Sequence, residues 1–265
     1  MAGGKETPRQ RMIGILYLVL LGLIALSVND SLLDAFKNIT DSLSTSTTNV
    51  NSGVEATFSS FEATKLKDDP IKAKPIYDKA KQASGYARDL ESYINDLKTS
   101  LTEQGGGINE SNGDLEGRAS VDISPRFMIN GGKATDLRKK ITETREKLLG
   151  LLDEKDRKTV KFSLSTIDPP RKGGVSKTWE EANFGDGIPL AAAMTALTKI
   201  QADVKNAESE MVKKILGKMD QAEINLDEFA AVAVAPTSYV IQGQPYTAEV
   251  FLTASSSTLK QTINV

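Results

Sequence analysis

The sequence predicts a mainly α-helical protein with a single N-terminal transmembrane helix, a helical bundle domain and the beginning of a β-sandwich domain. Three observations support this class: an uncharged apolar run from Met12 to Asn29, long segments in which apolar residues recur every three or four positions, and short β-type runs after Leu226. The predicted parts are a short leader over residues 1–11, a membrane helix over 12–29, a helical domain over 30–225 and an incomplete β-sandwich over 226–265.

The apolar run is long enough to cross a bilayer, because as a helix it would rise about 27 Å. It is apolar on every face, which argues against a buried core helix. A secretory signal peptide is the alternative, since Ala25-Leu26-Ser27 loosely resembles a cleavage site, but the run exceeds the usual signal core. Thr7, Pro8 and Gln10 predict a capped helix start ahead of the run, which favours a retained membrane helix.

The charges that flank the run predict its orientation. Lys5, Arg9 and Arg11 precede it, whereas Asp30 and Asp34 follow it. Basic flanks stay on the cytoplasmic side of a membrane helix. We therefore expect the N-terminus in the cytoplasm and the bulk of the chain outside it.

The composition disfavours several classes of function. The 33 basic and 35 acidic residues are well mixed, so no basic patch indicates nucleic-acid binding. The chain has neither histidine nor cysteine, which removes the commonest general base, the commonest metal ligand and the thiol nucleophile. An enzyme that uses carboxylates or a serine–lysine pair stays open, but nothing in the composition favours one. We therefore predict no catalytic residues, no metal site and no cofactor.

Helical spacing resumes after the run and defines the first two helices of the outer portion. It extends from Leu33 to Phe61, although the Ser-, Thr- and Asn-rich residues 44–52 weaken the helix prediction there. A turn is expected at residues 67–70. The next helix is predicted from Lys74-Pro75 to about Leu101.

Glycine-rich segments separate the later helices. Gly105–Gly107 predicts a loop; it lacks the following Gly-Lys-Ser/Thr of a phosphate-binding loop. A third helix is predicted from about Ala134 to Leu152, and residues 179–184, which include the only tryptophan, are assigned to a loop.

The longest uninterrupted helix is predicted from Pro189 to about Gly217. We interpret its apolar stripe as bundle core or dimer contact rather than a ligand site. The stripe consists of Leu190, Met194, Leu197, Ile200, Val204, Ala207, Met211 and Ile215. The charged residues are predicted to form the solvated faces, namely Lys199, Asp203, Lys205, Glu208, Glu210, Lys213 and Lys214.

Three β-type runs follow, at residues 231–236, 239–241 and 246–252, with a turn predicted at 242–245. They are similar to the opening strands of a β-sandwich. These runs are too few to close one, so we expect further strands from a longer chain or from another chain.

Two segments resemble one known family, the GldM/PorM proteins. The similarity lies in Met1–Lys5, Thr7–Met12 and Tyr17–Val19, and again from Trp179 through Phe184, Pro189 and Ile200-Gln201 to Asn206-Ala207-Glu208. Members of this family are similar in role to the load-bearing subunit of a proton-driven rotary motor in the bacterial inner membrane. That motor powers type IX protein secretion and gliding motility.

The resemblance also implies partners. It implies a homodimer whose paired helices sit inside a pentameric ring of GldL-type membrane subunits. The periplasmic part would reach toward components at the outer membrane. Protonation of a ring glutamate would drive rotation, which the dimer would transmit.

The family motif places Arg9 less than one turn before the apolar run, where a ring glutamate could pair with it and be held ionised. Tyr17, at i+8, is a candidate hydrogen-bond partner on roughly the same face. The alternative for Arg11 and Tyr17, which we favour from sequence alone, is a positive-inside flank and ordinary packing. Close helix approach is expected at three small residues outside any GxxxG motif, namely Gly14, Gly22 and Ala25.

Two other functions compete with a motor. A single-span sensor or scaffold would also have a helical periplasmic domain, but a sensor needs a cytoplasmic output module, and residues 1–11 leave no room for one. A membrane-tethered enzyme needs a nucleophile–base pair or a metal-ligand set that we do not find in the sequence.

Overall fold

The computed structural model describes residues 7–26, 30–171, 176–219, 228–235, 239, 242–243, 245 and 247–255. Of these, the side chains of residues 23–26, 228–229 and 254–255 are not described. The chain divides into two compact units, Met1–Met219 and Asp220–Val265. Helices dominate the first unit, which confirms the mainly α-helical class.

The N-terminal helix α1 covers Pro8–Leu26 and begins where the sequence predicts. The backbone N–H of Thr7 donates to Gln10 Oε1 at 3.0 Å, and the N–H of Gln10 donates to Thr7 Oγ1 at 3.4 Å. This reciprocal pair is the predicted capping box.

Within the part of the chain that the structure describes, no helix is long and apolar enough to cross a membrane. The predicted span over 12–29 is described only in part, because residues 27–29 and the side chains of 23–26 lie outside the described residues. The N-terminal span therefore stays a prediction.

Seven further helices complete the first unit together with a small hairpin, a π-helical turn at Pro125–Asn130 and a 3-10 turn at Gly217–Met219. The helices are α2 (Asp30–Ala63), α3 (Lys65–Asp68), α4 (Pro70–Gln104), α5 (Lys133–Gly150), α6 (Glu154–Thr159), α7 (Trp179–Phe184) and α8 (Leu190–Leu216). The hairpin pairs β1 (Ile108–Asn109) with β2 (Asp114–Leu115) in antiparallel register.

Helix α2 is continuous through the Ser-, Thr- and Asn-rich segment that weakened its prediction. The hydroxyls of Thr45, Thr47 and Thr48 donate to backbone carbonyls four residues earlier, so their polar groups are satisfied without leaving the helix.

Helix α4 begins earlier than the predicted Lys74-Pro75. The N–H of Lys72 donates to Asp69 Oδ1 at 3.2 Å, so Asp69 caps the helix and Pro70 occupies its first turn. Pro75 therefore lies inside the helix, where it removes one backbone hydrogen bond. The predicted turn at 67–70 is partly wrong, because α3 adds a helical turn over Lys65–Asp68.

Helix α8 packs between α2 and α4, and α5 packs on α4. Contacts of α8 with Phe36 and then Asn51 show that α2 runs parallel to it, whereas contacts with Lys98 and then Glu91 show that α4 is antiparallel. The predicted stripe of α8 is buried except for the half-buried Met194. At 27 residues α8 is shorter than α2 and α4, so the prediction that it is the longest helix is wrong.

Residues 179–184 form helix α7 rather than the predicted loop. The Thr178 side chain accepts from the N–H of Glu181, and the Glu181 carboxylate accepts from the N–H of Thr178. This capping box starts a helix of one and a half turns that buries Trp179 and Phe184, with ring centroids 5.9 Å apart.

In the second unit, strands β3 (Glu228–Val234) and β4 (Glu249–Ser255) pair antiparallel from Glu228↔Ser255 to Val234↔Glu249. Two of the three predicted β-type runs thus contribute to strands. The run at 239–241 lies outside the described residues except for Tyr239, and a turn is present at 242–243.

Candidate functional site

Helix α1 carries the residues that the sequence analysis selected, and it presents them outward. Tyr17 is 64% exposed, and Arg9 is exposed in the first turn of the helix. Neither makes a hydrogen bond or ion pair within the described ranges. Because eight helical residues rise about 12 Å, Arg9 and Tyr17 lie along one helix without touching each other.

The small residues of α1 also face open space. A Cβ added at Gly14 or Gly22 would meet no atom within 4 Å. Ala25 lies in the helix, but its side chain is outside the described residues. The described part of α1 therefore leaves room for a second helix at both glycines.

Arg118 joins the first turns of α2 to the rest of the domain. Its Nη1 lies 2.7 Å from Asp34 Oδ1 and 2.8 Å from Asp114 Oδ2, and its Nη2 lies 3.1 Å from Asp30 Oδ1. Hydrogen bonds to Asp114 and Asp34 raise the pKa of the Arg118 guanidinium, so it stays charged. We call Arg118 and these three carboxylates the arginine clamp.

The backbone around Arg118 is attached to two other helices. The N–H of Leu190 donates to the carbonyl of Ser120 at 2.8 Å, and the N–H of Ala191 donates to the carbonyl of Arg118 at 3.0 Å. These bonds satisfy free N–H groups at the start of α8. A Cβ at Gly117 would lie 2.7 Å from the carbonyl oxygen of Gly105, so only glycine fits against the end of α4. The arginine clamp therefore connects α2 to both α4 and α8.

A second polar group lies between the helices, where the sequence predicted solvated faces. Lys205 and Glu208 are buried, with 8% and 5% of their surface exposed. Lys205 Nζ lies 2.9 Å from Glu91 Oε2 on α4, 3.1 Å from Glu208 Oε2 and 3.0 Å from Asn51 Oδ1 on α2. The prediction was wrong for these two residues because other helices supply the partners that make their burial possible.

The pKa of Lys205 reflects opposing effects. Burial alone would lower it, but the hydrogen bond from Lys205 to Glu91 and the charge of Glu208 outweigh burial, so the pKa is raised. The lysine is therefore charged at neutral pH.

Further polar contacts continue along the same side of α8. Lys98 Nζ donates to Thr198 Oγ1 and to Gln201 Oε1, both at 2.9 Å, and Gln201 Nε2 donates to Asn95 Oδ1 at 2.7 Å. Thr198, Gln201, Lys205 and Glu208 recur every three or four residues, which is a second helical stripe beside the apolar one. That spacing was the signal in the sequence that these polar residues share one face of α8.

The polar contacts of the first unit join three of its helices. Across the described ranges no cluster of three metal-binding side chains is present. Charge-assisted hydrogen bonds fix α2, α4 and α8 to one another, and the first of them lies in the first turn of α2.

Removing the clamp should loosen the start of α2. In Arg118→Ala we expect faster amide hydrogen exchange over residues 30–37 and unchanged exchange in the middle of α8, because the clamp holds only that end. Hydrogen exchange followed by mass spectrometry measures this. Arg88→Ala is the matched control, since Arg88 is exposed on α4 without an ion pair among the described residues. Equal exchange in both variants would contradict the role of the clamp.

Comparison with known proteins identifies two domains. The family model for the GldM N-terminal domain matches residues 31–218, and the family model for the GldM second domain matches residues 220–265. Their junction coincides with the division between the two compact units. No curated protein matches the chain.

Proposed function

Because this chain belongs to the GldM family, a component of the gliding and type IX secretion machinery, we propose that it is the load-bearing subunit of a proton-driven rotary motor in the bacterial inner membrane. The observation that carries the proposal is the match to two consecutive GldM domains, which begins at residue 31 in the first turn of α2. The chain would have no catalytic site of its own.

In this proposal α1 and the residues up to 29 form a single membrane span. The N-terminus is cytoplasmic and the bulk of the chain is periplasmic. The basic flank of Arg9 and Arg11 supports this orientation. The exposure of apolar side chains along α1, such as Leu16 at 68% and Leu18 at 73%, supports a helix that is covered by lipid or by other helices.

Two copies of the chain would form a homodimer whose α1 helices sit inside a pentameric ring of GldL-type subunits. Gly14, Gly22 and Ala25 are the proposed points of close helix packing. Arg9 would pair with a ring glutamate and favour its ionised form, and Tyr17 would hydrogen-bond to the same partner. The absence of an Arg9 partner among the described residues of its own chain supports a partner on another chain.

Force would pass from α1 into α2 and then, through the arginine clamp, into α4 and α8. Such transmission needs a helical domain whose helices cannot slide past one another. The buried Lys205 contacts to α2 and α4 support this, because sliding would leave ionised groups unpaired. The periplasmic domains would deliver the work to components at the outer membrane.

The proposal is tested with Arg9→Ala in the full-length protein in its native host. We expect membrane insertion, folding and ring assembly to be retained. Secretion and gliding should be abolished, because an alanine side chain cannot pair with the ionised ring glutamate. Arg11→Ala is the matched control and should retain most activity. Unchanged secretion and gliding in Arg9→Ala would refute the role of Arg9.

Co-purification separates the motor from a single-span sensor or scaffold. We expect the chain to be recovered from membranes as a dimer together with a ring-forming membrane protein. Recovery of a monomer alone would favour the sensor or scaffold.

A further inference from the structure

The β1–β2 hairpin carries one of the two Asn-Gly pairs of the sequence at its tip. Asn112-Gly113 lies in the loop that joins Asn109 to Asp114, and both residues of the pair are exposed. Gly113 has a φ of +65°, and a Cβ added there would meet no atom within 4 Å. A glycine in open space leaves its backbone nitrogen accessible to the preceding side chain. The pair therefore has the exposure that attack of a backbone nitrogen on the asparagine amide requires.

The side chain of Asn112 is folded over the peptide that follows it. Its Oδ1 accepts a hydrogen bond from the N–H of Asp114 at 2.9 Å. When a nucleophile adds to the side-chain amide carbon, negative charge develops on this oxygen, and a donor already directed at it stabilises that charge. The hydrogen bond therefore orients the amide and also lowers the barrier to addition.

The second pair, Asn130-Gly131, has a different environment. Asn130 ends the π-helical turn, and no donor to its Oδ1 is present in the part of the chain that the structure describes. A Cβ added at Gly131 would lie 2.3 Å from the carbonyl oxygen of Phe127, so this glycine is packed against the preceding turn. The N–H of each glycine donates to a backbone carbonyl, at 2.8 Å for Gly113 and 3.1 Å for Gly131. That bond therefore favours neither pair, and the difference lies in the packing and in the donor to Oδ1.

We propose that Asn112 is a site of deamidation and that its isoaspartyl product loosens the arginine clamp. The deprotonated nitrogen of Gly113 attacks Cγ of Asn112, and the side-chain nitrogen leaves as ammonia, which takes up the proton that Gly113 lost. A succinimide remains, and water opens it at either carbonyl. One opening gives aspartate, and the other gives isoaspartate, in which the main chain runs through the former side-chain carbon.

The isoaspartyl product alters the turn that positions Asp114. This residue follows two positions after the reacting asparagine, and its carboxylate lies 2.8 Å from Nη1 of Arg118. Each strand of the hairpin has only two residues, so an extra main-chain carbon in the loop displaces Asp114 rather than being absorbed. The clamp then loses one of its carboxylates. This inference rests on the clamp and is independent of the motor contacts proposed on α1.

Ageing of the full-length chain at mildly alkaline pH tests the site, because base removes the proton of Gly113. Trypsin separates the two pairs, since Asn112 falls in the peptide 99–118 and Asn130 in the peptide 127–133. We expect Asn112 to deamidate roughly tenfold faster than Asn130, which is the effect of one hydrogen bond to a developing charge. In guanidinium chloride the two rates should converge, because the folded geometry is lost. Equal rates in the folded chain, or a ratio that the denaturant leaves unchanged, would overturn the proposal.

Hydrogen exchange connects the product to the clamp. The aged chain should exchange faster over residues 30–37 in proportion to its isoaspartate content, which electron-transfer fragmentation measures. Asn112→Ser is the matched control, because its hydroxyl can still accept from the N–H of Asp114 but it has no amide to lose. This variant should exchange alike before and after ageing. Unchanged exchange in the aged chain, or equal acceleration in aged Asn112→Ser, would refute the effect on the clamp.

Discussion

Lys205→Met should lower the free energy of unfolding of the helical domain by about 3 kcal/mol, because it leaves a buried carboxylate without its cation. Glu208 is only 5% exposed, and Lys205 is its partner in an ion pair of 3.1 Å. The amide of Asn51 would also lose its contact with the ammonium group. Urea denaturation followed by circular dichroism measures the loss.

Two controls show that the effect arises from burial rather than from loss of a lysine. Lys199→Met removes an exposed lysine paired with Asp203 on the same helix, and it should cost about 0.5 kcal/mol or less. The double variant Lys205→Met, Glu208→Met should be more stable than Lys205→Met alone, since the stranded carboxylate is gone. A cost for Lys205→Met no larger than for Lys199→Met would contradict the prediction.

The stability that Lys205 contributes should also depend on pH. Its pKa is raised in the folded state despite burial, by Glu91 and Glu208, so its contribution is present below the unfolded value of about 10.4 and is lost as pH rises through the folded value. The difference in unfolding free energy between the unmodified chain and Lys205→Met should therefore shrink above about pH 10.4. A difference that stays constant would exclude this electrostatic origin.

Phe184→Ala should be the most damaging apolar substitution in the first unit, with a loss of about 4 kcal/mol. The Phe184 side chain is fully buried, and its ring packs edge-on against Trp179 with centroids 5.9 Å apart. Its backbone carbonyl also accepts a hydrogen bond from Ser124 Oγ, so α7 is held in place from both sides. Truncation would leave a cavity at the contact of α7 with the π-helical turn and α8.

Equilibrium unfolding in urea measures the loss. Ile167→Ala, in the loop that precedes α7, is the control because its side chain is 79% exposed, and it should change stability by about 0.5 kcal/mol or less. Similar stabilities of the two variants would show that α7 is not part of the cooperative core.

Local signals in the sequence predicted much of the fold. The capping box of Thr7 and Gln10 is present, and the apolar spacing of α8 predicted its buried face. The predicted start of α4 was wrong because it depends on a single capping side chain, that of Asp69. Helix α7 was missed because it is too short for apolar residues to recur at helical spacing. For the candidate site, the resemblance selected Arg9 and Tyr17, whereas composition and spacing selected neither the arginine clamp nor Lys98.

The sequence by itself determined that the long segments of the first unit are helical and that α8 has a buried apolar face, because both depend on residues within a few positions of one another. Only the tertiary structure decided which charged residues are buried. Lys205 meets Asn51 at a separation of 154 residues, and Arg118 meets Asp34 at a separation of 84. A charge leaves water only when partners lie within a few ångströms, and some of these partners, such as Asn51 for Lys205 and Asp34 for Arg118, lie on another helix that no local pattern identifies.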